Sequence, residues 1–115
     1  MIYLNQELET EIRPGMRGGS GEVAITHLAD EADLCEKGRL FAILDLKPHC
    51  GIGWHVHEND TEIFHVLEGS AEYNDDGKIS ILHKGDTAVC PVGSGHAVCN
   101  KGESACRILA LILNA

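Results

Sequence analysis

Apolar residues fall in short runs, mostly alternating with polar ones, between turns rich in glycine and aspartate. Val23 and Ile25 alternate within Glu22 to His27, which predicts a strand with one face inward. Arg39 to Leu46 is a more continuously apolar strand, ended by Lys47-Pro48 because proline has no N–H to extend a ladder. Ser70 to Tyr73 and Lys78 to Leu82 flank Asn74-Asp75-Asp76-Gly77, a hairpin turn. Thr87 to Cys90, His96 to Asn100 and Ala105 to Leu113 add three further strands. Strands recurring about every ten residues, without an amphipathic helix, predict an all-β sandwich or barrel.

Three stretches are less regular. Residues 1–14 mix Ile2, Leu4, Leu8 and Ile12 with carboxylates and read as a short strand or an extended arm. Residues 14–21 hold four glycines in eight positions and read as a loop, so the N-terminal arm runs to about residue 21. The loop lacks the Lys-Ser/Thr of a phosphate cradle. Leu28 to Lys37 is expected to hold a helical turn, with the acidic residues 30–33 as a solvated face. The last strand, Arg107 to Leu113, is apolar on both faces and needs cover on each. A second subunit would supply that cover, which predicts a homodimer; burial against the N-terminal arm is the alternative.

A length of 115 residues predicts one domain, 1–115, able to bury a core without staples. The formal net charge of -9 opposes non-specific attraction to nucleic acid or an anionic membrane, so neither partner is expected. No apolar run of about 18 residues and no basic leader is present, which predicts a soluble, cytoplasmic protein. Five cysteines without a C-x-x-C pair signal neither a disulfide framework nor a zinc knuckle. Reduced thiols packed as small core residues are expected.

Candidate chemistry concentrates in Gly51 to Gly69. Along a strand over residues 54–57, His55 and His57 face the same side with Cα atoms roughly 7 Å apart. Asn59-Asp60-Thr61 reads as a turn, after which a strand from Glu62 to Leu67 returns, predicting a hairpin with three candidate metal ligands. Glu58 is a rival carboxylate, but strand parity places it on the opposite face. His65 is likewise expected to point away, His49 and His83 to sit exposed in turns, and His27 has no assignable role.

A second cluster runs from Gly85 to Asn100 and includes His96 after a Pro/Gly turn. Together the two stretches resemble the cupin family, small metal-binding double-stranded β-helices of jelly-roll form. The first motif reads His55-x-His57, four residues, Glu62, six residues, Gly69. The second reads Gly85, five residues, Pro91-x-Gly93, two residues, His96, three residues, Asn100. The motifs cover 51–69 and 85–100. One departure is that the family's glycine six residues before the first histidine is His49 here, which puts the local turn in question.

The resemblance implies that His55, His57, Glu62 and His96 bind one divalent transition ion: Fe, Mn, Ni, Co or Zn. Such a donor set leaves positions for water or substrate on an octahedral ion. The resemblance also implies a metalloenzyme acting on a small oxygenated metabolite, of dioxygenase, decarboxylase or isomerase type. The alternative is a non-catalytic module that binds or senses a small molecule. Phe64 shares the parity of Glu62 and is expected inside the barrel, with Phe41 and Trp54 near its mouth. Arg17, isolated among glycines, is expected to fold over the mouth and pair with an anionic ligand.

Overall fold

The computed structural model describes residues 1–115, with ten strands in two facing antiparallel sheets. The strands are β1 (Thr10–Pro14), β2 (Glu22–Ala29), β3 (Gly38–Leu46), β4 (Gly51–Val56), β5 (Asp60–Glu68), β6 (Ser70–Asp75), β7 (Lys78–His83), β8 (Thr87–Cys90), β9 (Gly95–Cys99) and β10 (Cys106–Asn114). One sheet has the order β1-β2-β3-β10-β5-β8 and the other β4-β9-β6-β7. Both expectations of an all-β chain and a double-stranded β-helix are met. No helix is long and apolar enough to cross a membrane.

Alternation builds the core. Val23 and Ile25 on β2, Ala42, Leu44 and Leu46 on β3, Phe64 and Val66 on β5, and Cys106, Ile108 and Ala110 on β10 all turn inward. The four-stranded sheet meets them with Ile52, Ala71, Tyr73, Leu82 and Val98. The hairpin expected over 70–82 is present, closed at Asp76-Gly77, where both residues have positive φ.

The expected hairpin over 51–67 is absent. β4 pairs with β9 while β5 pairs with β10 and β8, so Asn59 lies where the chain crosses from one sheet to the other. Parity arguments within each strand survive this, because both inner faces look onto the same interior. Leu28 and Ala29 finish β2, and residues 31–36 are a series of hydrogen-bonded turns in which the expected helical turn reduces to one bond, from the Leu34 N–H to the Asp30 carbonyl at 3.1 Å. Cys35 and Glu36 there have φ of 58° and 59°, which stops helical propagation.

The arm and the loop also differ in detail from expectation. Residues 10–14 form β1, the sheet's edge strand, so the arm does not cover the outer face of the central β10. That face keeps Leu109, Leu111 and Leu113 half-buried, with Arg107 paired to Asp45 at one end. The glycine-rich loop holds one 3₁₀ turn, Met16–Gly18, lying directly on β4. Backbone meets backbone there: a Cβ on Gly53 would strike the Arg17 carbonyl oxygen, and only glycine allows the approach. His49, where the motif's glycine was expected, does adopt the left-handed φ of 67°. Its N–H donates to Asn100 at 2.6 Å and its carbonyl accepts from Ser20 at 2.6 Å, contacts that hold a conformation unusual for a non-glycine residue.

All five cysteines are free, but only Cys90 and Cys106 are buried as expected. Burial pushes both thiols up to about 11, leaving them protonated and unreactive. Cys50 and Cys99 are half-buried, and Cys35 sits exposed in the turn region.

Candidate metal centre

Three strands bring four donor atoms together. His55 on β4 lies directly opposite His96 on β9, and Glu62 approaches from β5 in the facing sheet. A register shift between Ile52 and His55 inserts one extra residue into β4. That bulge is why Ile52 and His55, three apart, both face inward where strict alternation would separate them. His57 follows at the end of β4, its N–H bonded to the Ser94 carbonyl at 3.0 Å.

The donor atoms of His55, His57, Glu62 and His96 all lie within 4.8 Å of one another. Nε2 of His96 is 3.1 Å from Nε2 of His57 and 3.1 Å from Nε2 of His55. Glu62 Oε1 lies 3.2 Å from His57 Nε2 and 3.0 Å from His96 Nε2. His57, Glu62 and His96 are buried, and His55 is partly open toward the cavity.

The partners of the far ring nitrogens decide what these near nitrogens present. His55 Nδ1 is 2.8 Å from the Gly53 carbonyl, which can only accept, so Nδ1 carries the proton. His57 Nδ1 is 2.6 Å from the Asp60 carboxylate, with the same consequence. His96 Nδ1 is 2.8 Å from the Tyr73 hydroxyl, which can donate or accept. In their neutral forms His55 and His57 direct Nε2 lone pairs at the point where Glu62 directs its oxygen, whereas a proton on His57 Nε2 would bond to Glu62 instead. Electron-rich atoms so crowded repel unless a cation lies among them, and the donor set fits a divalent metal.

The same field acts on protons. Its hydrogen bond to Glu62 raises the His57 pKa, with Asp60 adding to it against desolvation. Desolvation lowers that of His55. Burial pushes the Glu62 carboxyl up, but the hydrogen bonds from His57 and His96 outweigh it and hold it below the ordinary range. Desolvation also raises Tyr73, which stays a neutral phenol.

Above the four donors opens a cavity of about 180 Å³. Its wall includes Arg13, Arg17 and Arg39, three of the four arginines in an acidic chain. Arg13 pairs with Glu11 at 3.1 Å and Arg39 with Asp60 at 2.7 Å, while the Arg17 guanidinium has no ion-pair partner. His27 joins the wall, its Nε2 2.7 Å from Glu11.

Of the expected pocket residues Arg17 lines the cavity, and Trp54 and Phe41 do not. Trp54 is 48% exposed on the outer face of β4, its ring laid on Gly95, because it has the opposite parity to His55. Phe41 faces outward on β3 beside Leu111, opposite in parity to Ala42. Phe64 is inside as expected but lies beneath the site, stacked on His96 with centroids 5.1 Å apart, and does not line the cavity. Glu58, His49 and His83 are exposed, and His65 bonds Thr87 away from the site. Asp60, Tyr73, Arg13, Arg39 and His27 are the members that sequence reading missed. Asp60 had a signal, since it shares the parity of Glu62 two residues on. The arginines and His27 had none, because strand pairing and loop crossing bring them in.

Residues 42–112 match the sequence profile described as "Cupin domain". A protein described as an oxalate-binding protein, from Thermotoga maritima, is 34% identical over 113 residues, spanning 98% of this chain and 93% of its own. The crystal structure of a predicted oxalate decarboxylase from Thermotoga maritima superposes with a TM-score of 0.95 at 34% identity, covering 100% of both chains. KdgF from Halomonas sp. shares the fold at a TM-score of 0.76 and 17% identity, over 100% of this chain and 96% of that one.

Proposed function

Because the chain belongs to the cupin-domain family, we propose that it binds a divalent transition metal on His55, His57, Glu62 and His96 and uses it to capture a small dicarboxylate of the oxalate class. The observation that carries this reading is a cluster of four donors, three of which, His55, His57 and Glu62, line a small cavity that three arginines also line. A bound ion supplies Lewis acidity and coordination positions for oxygen donors. Arg17, unpaired at the mouth, supplies charge-assisted hydrogen bonds to a carboxylate. Arg13 and Arg39 face the same cavity already paired with Glu11 and Asp60, so the bound ion and Arg17 are the two charges left to meet a dianion. The 34% identical oxalate-binding protein supports this substrate class.

Calorimetric titration of the manganese-loaded protein tests the reading. Oxalate is expected to bind with one site per chain and acetate far more weakly. Arg17→Ala is expected to weaken oxalate roughly tenfold, on the order of 1.5 kcal/mol, with metal content unchanged. Equal affinity for oxalate and acetate removes the dicarboxylate assignment, and unchanged oxalate affinity after Arg17→Ala removes the residue from it.

One observation favours catalysis over binding alone. His27, its Nε2 2.7 Å from a Glu11 carboxylate oxygen, lines the same cavity and brings to it an imidazole, the side chain most often used for proton transfer. Decarboxylation of oxalate consumes one proton at carbon as carbon dioxide leaves and formate forms. Formate released during the same incubation assigns an enzyme; binding without formate assigns a sensing or carrier module.

The half-buried leucines on the outer face of β10 support a homodimer through that sheet. Equilibrium sedimentation at micromolar concentration is expected to give twice the 12.4 kDa chain mass, and a monomer alone removes the dimer.

A further inference from the structure

Asp60 is a carboxylate only 8% exposed, and burying such a charge costs several kcal/mol unless it is fully paired. Both of its oxygens are used. Oδ1 accepts from His57 Nδ1 at 2.6 Å and Oδ2 accepts from Arg39 Nε at 2.7 Å. Arg39 reaches this position through a distortion of its own strand. The register of β3 on β10 passes from Leu40 opposite Ile112 to Gly38 opposite Leu113, leaving Arg39 as the extra residue of a bulge. Leu40 packs against the core, so simple alternation would turn Arg39 outward, yet it lines the cavity with His55, His57 and Glu62. A bulge re-aims a side chain in this way.

The three imidazoles are held differently from behind. A backbone carbonyl faces His55 Nδ1 and a phenol faces His96 Nδ1, and an anion stands only behind His57. A carboxylate fixes the tautomer, fixes the ring plane and makes the opposite nitrogen the better electron donor. We propose that Asp60 is the positioning residue of the metal centre and that Arg39, re-aimed by the β3 bulge, locks Asp60 in place. Resting on the four-ligand reading above, this assigns a role to two residues outside the ligand set. Asparagine at 60 cannot replace the carboxylate, because its NH₂ must face either the His57 N–H or the Arg39 N–H, donor against donor.

The test uses Co²⁺, whose visible absorption reports ligand geometry, on wild type, Asp60→Asn, Arg39→Gln and His57→Ala. Asp60→Asn is expected to weaken Co²⁺ by 10- to 100-fold in chelator competition and to change the visible spectrum. Arg39→Gln is expected to give a smaller loss, on the order of threefold to tenfold, in the same direction. Thermal unfolding of each metal-free variant runs in parallel. A lowered melting temperature with wild-type Co²⁺ affinity and spectrum means that Asp60 merely supports the fold, and overturns the proposal. Should Asp60→Asn not fold, Arg39→Gln decides alone, since Arg39 is 42% exposed in its side chain and tolerates substitution; wild-type affinity there is the overturning result. Failure of the underlying reading looks different: wild type then takes up no stoichiometric Co²⁺, or His57→Ala retains all of it.

Discussion

Replacing His57 and His96 together by alanine is expected to take metal content from one ion per chain to none in elemental analysis. Both Nε2 atoms lie within 3.2 Å of Glu62 Oε1, so the pair removes two of the three donors packed most tightly around the site. His55 and Glu62 would remain, one partly open to solvent and the other a buried anion left without hydrogen-bond donors. A two-ligand remnant cannot compete with water and buffer for a first-row ion, and the loss should exceed a thousandfold in affinity, about 4 kcal/mol. The variant also relieves crowding among four polar groups, so its metal-free form should fold. Circular dichroism matching wild type, with no metal retained, is the expected pair of results. Full retention of metal would sink the assignment of these four residues.

Phe64→Ala is expected to lower stability by about 3–5 kcal/mol, the largest effect of any single core change here. The ring is 2% exposed and lies in the middle of the core cluster, edge-on to Tyr73 with centroids 6.1 Å apart. It also forms the floor of the site by stacking on His96 at an interplanar angle of 23°. Truncation leaves a cavity that β5 and β10 cannot close without breaking register. Against a typical total of about 5–15 kcal/mol, the loss should move the urea midpoint strongly while the slope stays constant. Phe64→Leu keeps most of the volume and should cost less than about 1.5 kcal/mol, yet it still removes the flat surface under His96. A metal affinity that falls in Phe64→Leu with little change in stability would separate the two roles of the ring. A shift below about 1 kcal/mol in Phe64→Ala would mean that the core does not depend on it.

Much of this architecture was legible beforehand because strands announce themselves locally. Alternation at Val23 and Ile25, the hairpin over 70–82 and the apolar run from Arg107 to Leu113 each depend on neighbours in sequence, and each became a strand close to where it was expected. The four donors were legible for the same reason: parity and motif spacing are local properties. Sequence expectation and structure part at the residues next to an inward-facing one. Trp54 adjoins His55 and so must face away from it, and Phe41 adjoins Ala42 in the same manner. The turn expected over 59–61 is a bend at Glu58 and Asn59, with Asp60 and Thr61 already in β5, and it leads into the other sheet because hydrogen bonds between strands are chosen by distant partners.

The amino-acid order by itself determined the strand content, the inward positions of His57, Glu62 and Phe64, and the family to which the chain belongs. Side-chain direction in an extended chain repeats every two residues and needs no knowledge of the rest. Only the tertiary structure decided how those positions meet. Two bulges break the two-residue repeat: the one before His55 lets Ile52 and His55 face inward together, and the one at Arg39 turns inward a side chain that local parity would have sent out. The crossing of the glycine-rich loop over Gly53 sets Arg17 at the mouth, and the antiparallel register of β4 with β9 sets His96 opposite His55. Such placements depend on contacts between residues far apart in sequence, whose energy exists only once the two sheets have closed on each other.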